Sequence, residues 1–191
     1  MPQGCRNYPH LLIGHWRCWL IALPVMLGWA LAFADQATEQ EAFFERLVAE
    51  CDATYTGTAV FPDDPGEDWK GQVLVAHVKT CEADEVRIPF TVGEDRSRTW
   101  IIRRVESGLE LKHDHRHADG TPDEITFYGG VTQAPGTSLA QSFPADDYTA
   151  ALIPEAATNE WFLSFSEDGS ELTYYLERHG KPRFKAVLTR D

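Results

Sequence analysis

Three histidines at alternate positions, His113, His115 and His117, are the residues of this chain that come closest to a chemical function. They end a segment, 109–117, in which leucine and histidine alternate with charged residues. Because successive side chains of a β-strand point to opposite faces, this pattern predicts a strand with three imidazoles on one face. Histidines at i and i+2 are about 7 Å apart at Cα, and both can bind one ion. The pattern therefore indicates a metal site formed by these three histidines, with zinc or copper as the suited ion.

Strand geometry limits how many of these histidines bind together. His113 and His117 are about 13 Å apart along a straight strand, so all three converge only if the strand bends. We expect a His-x-His pair completed by a neighbouring strand, for example by His77, or by the following turn, for example by Asp119 or Glu124. Two alternatives stay open: a polar cluster that takes up protons between about pH 5 and 7, and solvated imidazoles paired with carboxylates.

A second candidate site is basic. Arg96, Arg98, Arg103 and Arg104 fall within nine residues of an otherwise acidic chain. A planar guanidinium group suits carboxylate and phosphate ligands, so Arg96 and Arg98, together with Trp100, form a predicted ligand-binding set. The alternative is that these arginines form ion pairs with nearby acidic residues across a hairpin.

The elements that must position these residues are nearly all β-strands. Thr38 and Glu41 form a capping box, and apolar residues at helical spacing predict one helix over 38–51. The remainder predicts eight to ten antiparallel strands, which close into a barrel of the calycin or lipocalin kind or pack as a sandwich. The pair Gly129-Gly130 predicts an interruption between strands, and a short helix is predicted within 144–153. The predicted strands are 55–61, 73–78, 86–92, 99–105, 109–117, 125–128, 139–143, 161–165, 172–176 and 184–188.

The first 34 residues have the features of a signal peptide. A polar or positive start precedes an apolar run from Trp19 to Ala32, and the run is shorter than the roughly 20 residues of a membrane span. Ala32-Phe33-Ala34 fits a cleavage site, so residues 35–191 are the predicted mature domain. We expect a periplasmic or secreted protein without a stable membrane anchor after cleavage.

Cysteine usage agrees with export. Cys5 and Cys18 leave with the predicted signal, so Cys51 and Cys81 remain in an oxidising compartment. A disulfide between them is the expected outcome, and free thiols or metal thiolates are the alternative.

Charge excludes some partners. The chain has a net charge of −13, and removal of Arg6 and Arg17 with the signal leaves 15 basic against 30 acidic residues. Such an acidic protein is not expected to bind nucleic acid or an anionic membrane surface.

The sequence resembles a group of exported proteobacterial proteins with no assigned function. The resemblance lies in the segments 87–90, 93–100, 111–120 and 142–146, which include Arg96, Arg98 and the three histidines. It implies export and implies no activity.

The chain contains no recognisable catalytic motif: it has no Gly-x-Ser-x-Gly elbow, no Ser-x-x-Lys, no His-Glu-x-x-His and no phosphate-binding glycine loop. We therefore favour a non-enzymatic protein that binds a small ligand or a metal ion in a β-barrel. One alternative is a hydrolase or isomerase that uses His113 and His115 as metal ligands or general base. Another is a structural protein that interacts with the cell envelope.

Overall fold

The computed structural model describes residues 38–62 and 69–191, which form one helix followed by a nearly closed antiparallel β-barrel. The predicted signal peptide, its cleavage site and the acidic segment 63–68 lie outside the described residues. No helix within the described ranges is long and apolar enough to span a membrane.

The helices are α1 (38–49) and α2 (Asp147–Leu152), with a 3-10 turn at Pro154–Ala156. The strands are β1 (Thr54–Phe61), β2 (Leu74–His77), β3 (Thr80–Cys81), β4 (Glu85–Val92), β5 (Asp95–Val105), β6 (Gly108–His115), β7 (Tyr128–Val131), β8 (Ala140–Pro144), β9 (Asn159–Phe165), β10 (Glu171–Arg178) and β11 (Lys181–Arg190).

Ten of these strands form one continuous sheet in the order β7-β6-β5-β4-β2-β1-β11-β10-β9-β8, and β3 pairs separately with β4. The sheet curls until its two outer strands meet, instead of dividing into the two layers of a sandwich. The predicted antiparallel barrel with an N-terminal helix is therefore confirmed. Gly57 of β1 allows a close approach to β11, because a Cβ atom at this position would lie 2.0 Å from the carbonyl oxygen of Val187.

The seam between β7 and β8 is closed by a few backbone contacts. Gly130 pairs with Ala145 through an isolated bridge, and the amide of Asp146 donates to the carbonyl oxygen of Gly129 at 3.1 Å. A Cβ atom on Gly130 would lie 1.7 Å from the carbonyl oxygen of Pro144, so only glycine allows this approach. The prediction of a strand at 125–128 ended by Gly129-Gly130 was wrong, because these glycines belong to β7 and let it approach β8.

Helix α1 covers one end of the barrel, which we call the closed end. Phe43, Phe44 and Leu47 are fully buried, and the rings of Phe43 and Phe165 lie 6.1 Å apart between centroids. The helix also holds Arg104 at the end of β5: its guanidinium lies 3.9 Å from the ring centroid of Phe44 and pairs with Glu41. The apolar face of α1 thus shields this end of the barrel from solvent.

The predicted disulfide is present. Cys51, two residues after α1, is bonded to Cys81 of β3 and links the helix to the sheet at the closed end. Such bonds form and persist in oxidising compartments, which places the protein outside the cytoplasm.

Candidate ligand-binding site at the open end of the barrel

The end of the barrel opposite α1 opens into a cavity of about 670 Å³, and we call it the open end. Strand β5 connects the two ends: Arg104 contacts α1, whereas Arg98 lines the cavity. Six residues of extended chain separate them, about 20 Å. The described residues that line the cavity are Pro62, Trp69, Phe90, Arg98, Trp100, His113, His115, Asp123, Ile125, Tyr128, Ile153, Ala156, Asn159, Trp161, Tyr174, Leu176, Arg178, Arg183 and Phe184.

Aromatic rings form the inner wall of the cavity. Trp100 lies between Phe90 and Tyr174, with centroid distances of 4.3 and 4.7 Å and nearly parallel planes. Trp69 and Phe184 meet edge to face nearer the mouth, at 4.9 Å. Stacked and edge-to-face pairs are the favoured arrangements of aromatic rings, so the wall is well ordered before a ligand enters.

His113 lies deep in this wall and has both ring nitrogens occupied. A carbonyl oxygen can only accept, so Nδ1–H donates to the carbonyl oxygen of Tyr128 at 3.1 Å. Nε2 then accepts from the hydroxyl of Tyr174 at 2.9 Å. Burial lowers the pKa of His113 to about 3, so the ring is neutral at physiological pH. Its role in the described structure is to satisfy two buried polar groups.

His115 lies one step nearer the mouth. Its Nε2 lies 3.0 Å from the hydroxyl of Tyr128, and Tyr128 also stacks on His113 at 4.7 Å. Burial and the positive charge of Arg98 both lower the pKa of His115. Burial raises the pKa of Tyr128 to about 12, which keeps its hydroxyl protonated. The cavity thus contains an uncharged pair, the imidazole of His115 and the hydroxyl of Tyr128, which can form hydrogen bonds with a ligand.

His117 does not join the other two histidines. It is exposed on the rim, where one of its nitrogens lies with carboxylate oxygens of Asp123 and Glu124 within 4.8 Å of one another. Of the three residues suggested from the sequence as additional metal ligands, Glu124 belongs to this cluster. The other suggested metal ligands lie elsewhere: His77 pairs with Thr54 at the closed end, and Asp119 accepts from Thr121 in its own turn.

The predicted basic set divides between the cavity and the outside. Arg98 and Trp100 line the cavity, whereas Arg96 is exposed and does not. Arg103 and Arg104 form ion pairs, but only that of Arg103 with Glu110 crosses the hairpin as the alternative expected. Arg103 also pairs with Glu85 of β4, and Arg104 pairs with Glu41 and Glu45 of α1.

Several cavity residues were not predicted from the sequence, among them Tyr128, Tyr174, Arg178 and Arg183. A signal for two of them exists, because alternate residues 172, 174, 176 and 178 read Leu, Tyr, Leu, Arg, an apolar row that ends in a polar residue as in β6. No such signal exists for Arg183. The β10–β11 register shifts between Leu176 and Glu177, where their partners are Phe184 and Pro182, and Arg183 is the extra residue of this bulge.

Comparisons with known proteins found no match among protein-family models, curated proteins or solved structures.

Proposed function

We propose that this protein binds a small, largely apolar ligand in the cavity at the open end of its barrel and is not an enzyme. The observation that carries the proposal is the cavity of about 670 Å³ with its wall of stacked aromatic rings. Its size falls within the range of about 300–1,000 Å³ that is usual for small-molecule sites, and apolar walls with a few polar groups are typical of them.

Binding is favoured over a hydrolase or isomerase that uses His113 as its general base by the state of that residue. A general base needs a free nitrogen that faces the substrate. His113 uses Nδ1 for the carbonyl of Tyr128 and Nε2 for the hydroxyl of Tyr174, and its depressed pKa opposes proton uptake.

Intrinsic fluorescence offers a direct test. The three tryptophans that follow residue 34 are Trp69, Trp100 and Trp161, and all of them line the cavity. We expect the neutral probe N-phenyl-1-naphthylamine to quench their emission saturably while its own emission rises. Absence of a saturable change in both signals would overturn the proposal.

Two phenylalanines on strands that both pair with β10 supply a matched pair of variants. Phe184 of β11 lines the cavity, whereas Phe162 of β9 packs on Tyr175 on the outer face, with 5.4 Å between ring centroids. Phe184→Ala should weaken probe binding about tenfold, because it removes an apolar contact worth roughly 1.4 kcal/mol. Phe162→Ala should leave the affinity unchanged, and an equal loss in both variants would place the probe elsewhere.

A second candidate function, metal binding, is favoured by one observation, the rim cluster of His117, Asp123 and Glu124. One imidazole and two carboxylates suit zinc, which takes nitrogen and oxygen ligands at about 2.0–2.2 Å. The proposed ion is bound at the rim and not by the row of three histidines.

We also propose that the protein acts in the periplasm or outside the cell, as one of the exported proteobacterial proteins that it resembles. The Cys51–Cys81 disulfide and the signal-like first 34 residues support this. Cleavage after Ala34 predicts an intact mass that begins at Asp35. An uncleaved chain in the envelope fraction would contradict it.

A further inference from the structure

We infer that the ligand of the cavity is an organic anion whose flat apolar part contacts the aromatic wall while its charged group meets Arg178 at the mouth. This inference rests on the proposed binding function and adds the chemical class of the ligand.

Among the described residues that line the cavity, the balance of charge is opposite to that of the protein. The chain has 30 acidic and 17 basic residues, yet the described residues that line the cavity include three arginines, Arg98, Arg178 and Arg183, and one carboxylate, Asp123. A positively charged mouth with low-dielectric walls attracts anions and raises their local concentration.

Two of these arginines lack a carboxylate partner. Within residues 38–62 and 69–191, no aspartate or glutamate oxygen lies within 4.0 Å of a guanidinium nitrogen of Arg178 or Arg183, whereas Arg98 pairs with Asp95. Most other arginines of the described chain pair with a carboxylate, as Arg103 does with Glu85. Two guanidinium groups beside one cavity, neither paired with a carboxylate of the described chain, are therefore able to bind an anion.

Arg178 is the better positioned of the two. It is partly buried, and its Nε donates to Oδ1 of Asn159 at 2.8 Å. Asn159 is itself only 5 % exposed and lines the same cavity, so this bond holds the guanidinium in place with its two terminal nitrogens unbonded to described residues. A planar group fixed in this way forms paired hydrogen bonds with a carboxylate or sulfonate.

Arg98 assists from the opposite wall. Its guanidinium lies 5.3 Å from the ring centroid of Trp69 and pairs with Asp95, so part of its charge is already compensated. Arg183 is exposed at the rim. We therefore expect removal of Arg178 to weaken anion binding more than removal of either of the others.

Two probes that differ by one charged group test the inference. N-phenyl-1-naphthylamine is neutral, and 8-anilinonaphthalene-1-sulfonate adds a sulfonate to the same aromatic amine. The wild-type protein should bind the sulfonate at least tenfold more tightly in low salt. Arg178→Gln should lower the affinity for the sulfonate about tenfold, a much larger loss than for the neutral probe, and Arg178→Lys should recover part of the loss.

Arg96→Gln is the matched control, since it removes the same charge from an arginine without a carboxylate partner in the described chain and outside the cavity lining. It should leave both affinities unchanged, and thermal melts would verify that each variant is folded. If neither probe binds the wild type, the proposed function fails. If both bind equally well, or if Arg178→Gln and Arg96→Gln have equal effects, the binding function stands and the anion inference is overturned.

Discussion

The two ends of this barrel are built by the same strands but differ in what fills them. At the closed end, Phe43 and Phe44 of α1 enter the barrel and are fully buried. At the open end, His113, His115 and Arg98 face a cavity instead of a helix. Strand β6 shows the change along one face, since Leu109 and Leu111 belong to the apolar core and His113 begins the polar wall.

The difference separates stability from binding. The buried face of α1 and the disulfide lie at the closed end, whereas the cavity at the open end combines buried aromatic rings with partly exposed groups such as Arg98, His115 and Arg178. Groups that stay open to a ligand, such as the terminal nitrogens of Arg178, add little to the stability of the fold, whereas the buried apolar residues of α1 contribute to it directly. The following predictions test this division, from the largest expected effect to the smallest.

Truncation of Phe43 should produce the largest loss of stability. The side chain is fully buried, and Phe→Ala changes in a core cost about 3–5 kcal/mol. Ile125→Ala at the open end removes a side chain that is 48 % exposed and should change the unfolding free energy by less than about 0.5 kcal/mol. Urea denaturation with unchanged m-values measures both. Similar losses would show that the two ends stabilise the fold equally.

Removal of the disulfide should be next in size. Cys51 and Cys81 are 30 residues apart, and a loop of this length predicts a stabilisation of about 3–4 kcal/mol from the restricted unfolded chain. The double variant Cys51→Ala/Cys81→Ala should lose this stability and retain wild-type affinity for N-phenyl-1-naphthylamine. Lost affinity in protein that is still folded by circular dichroism would mean that the closed end shapes the cavity.

His113 should make the stability of the protein depend on pH. Its pKa is lowered to about 3 in the fold because it is buried, whereas it is about 6.5 in the unfolded chain. The unfolded state therefore binds more protons between about pH 3 and 6.5, and stability falls as the pH falls through this window. The contribution of this one group is up to about 1.4 kcal/mol per pH unit.

Denaturant melts from pH 6.5 downward measure this slope. His113→Gln should make the decline shallower, and His179→Gln, which removes an exposed imidazole at a turn, should keep the wild-type slope. Identical slopes in all three proteins would mean that His113 is not buried as a neutral ring.

The smallest effect is expected from zinc at the rim. His117, Asp123 and Glu124 offer three exposed or half-exposed ligands, so a single weak site is expected. Free zinc at ten times its dissociation constant should stabilise the protein by about 1.4 kcal/mol, and His117→Ala should abolish this gain. If calorimetry instead finds binding that His113→Gln removes and His117→Ala does not, the metal lies within the predicted row of histidines.

Most of the fold follows from local patterns in the sequence. The period-two alternation of β6 and β10, the helical spacing of Phe43, Phe44 and Leu47, and the two cysteines after residue 34 predicted strands, helix and disulfide, and the structure contains all three. Such patterns succeed because side-chain direction within a strand or a helix depends only on nearby residues.

The candidate site depended on contacts between distant residues, which alternation does not reveal. His113 meets Tyr174, 61 residues away, through a hydrogen bond that makes it a satisfied wall residue. A bulge turns Arg183 to the cavity, and Gly130 becomes part of the seam because Pro144 lies against it. The sequence by itself determined the helix, most of the strands and the apolar start of the inner face of β6. Only the tertiary structure decided what each inward-facing residue meets, because strand register and barrel closure bring together residues that no local pattern relates.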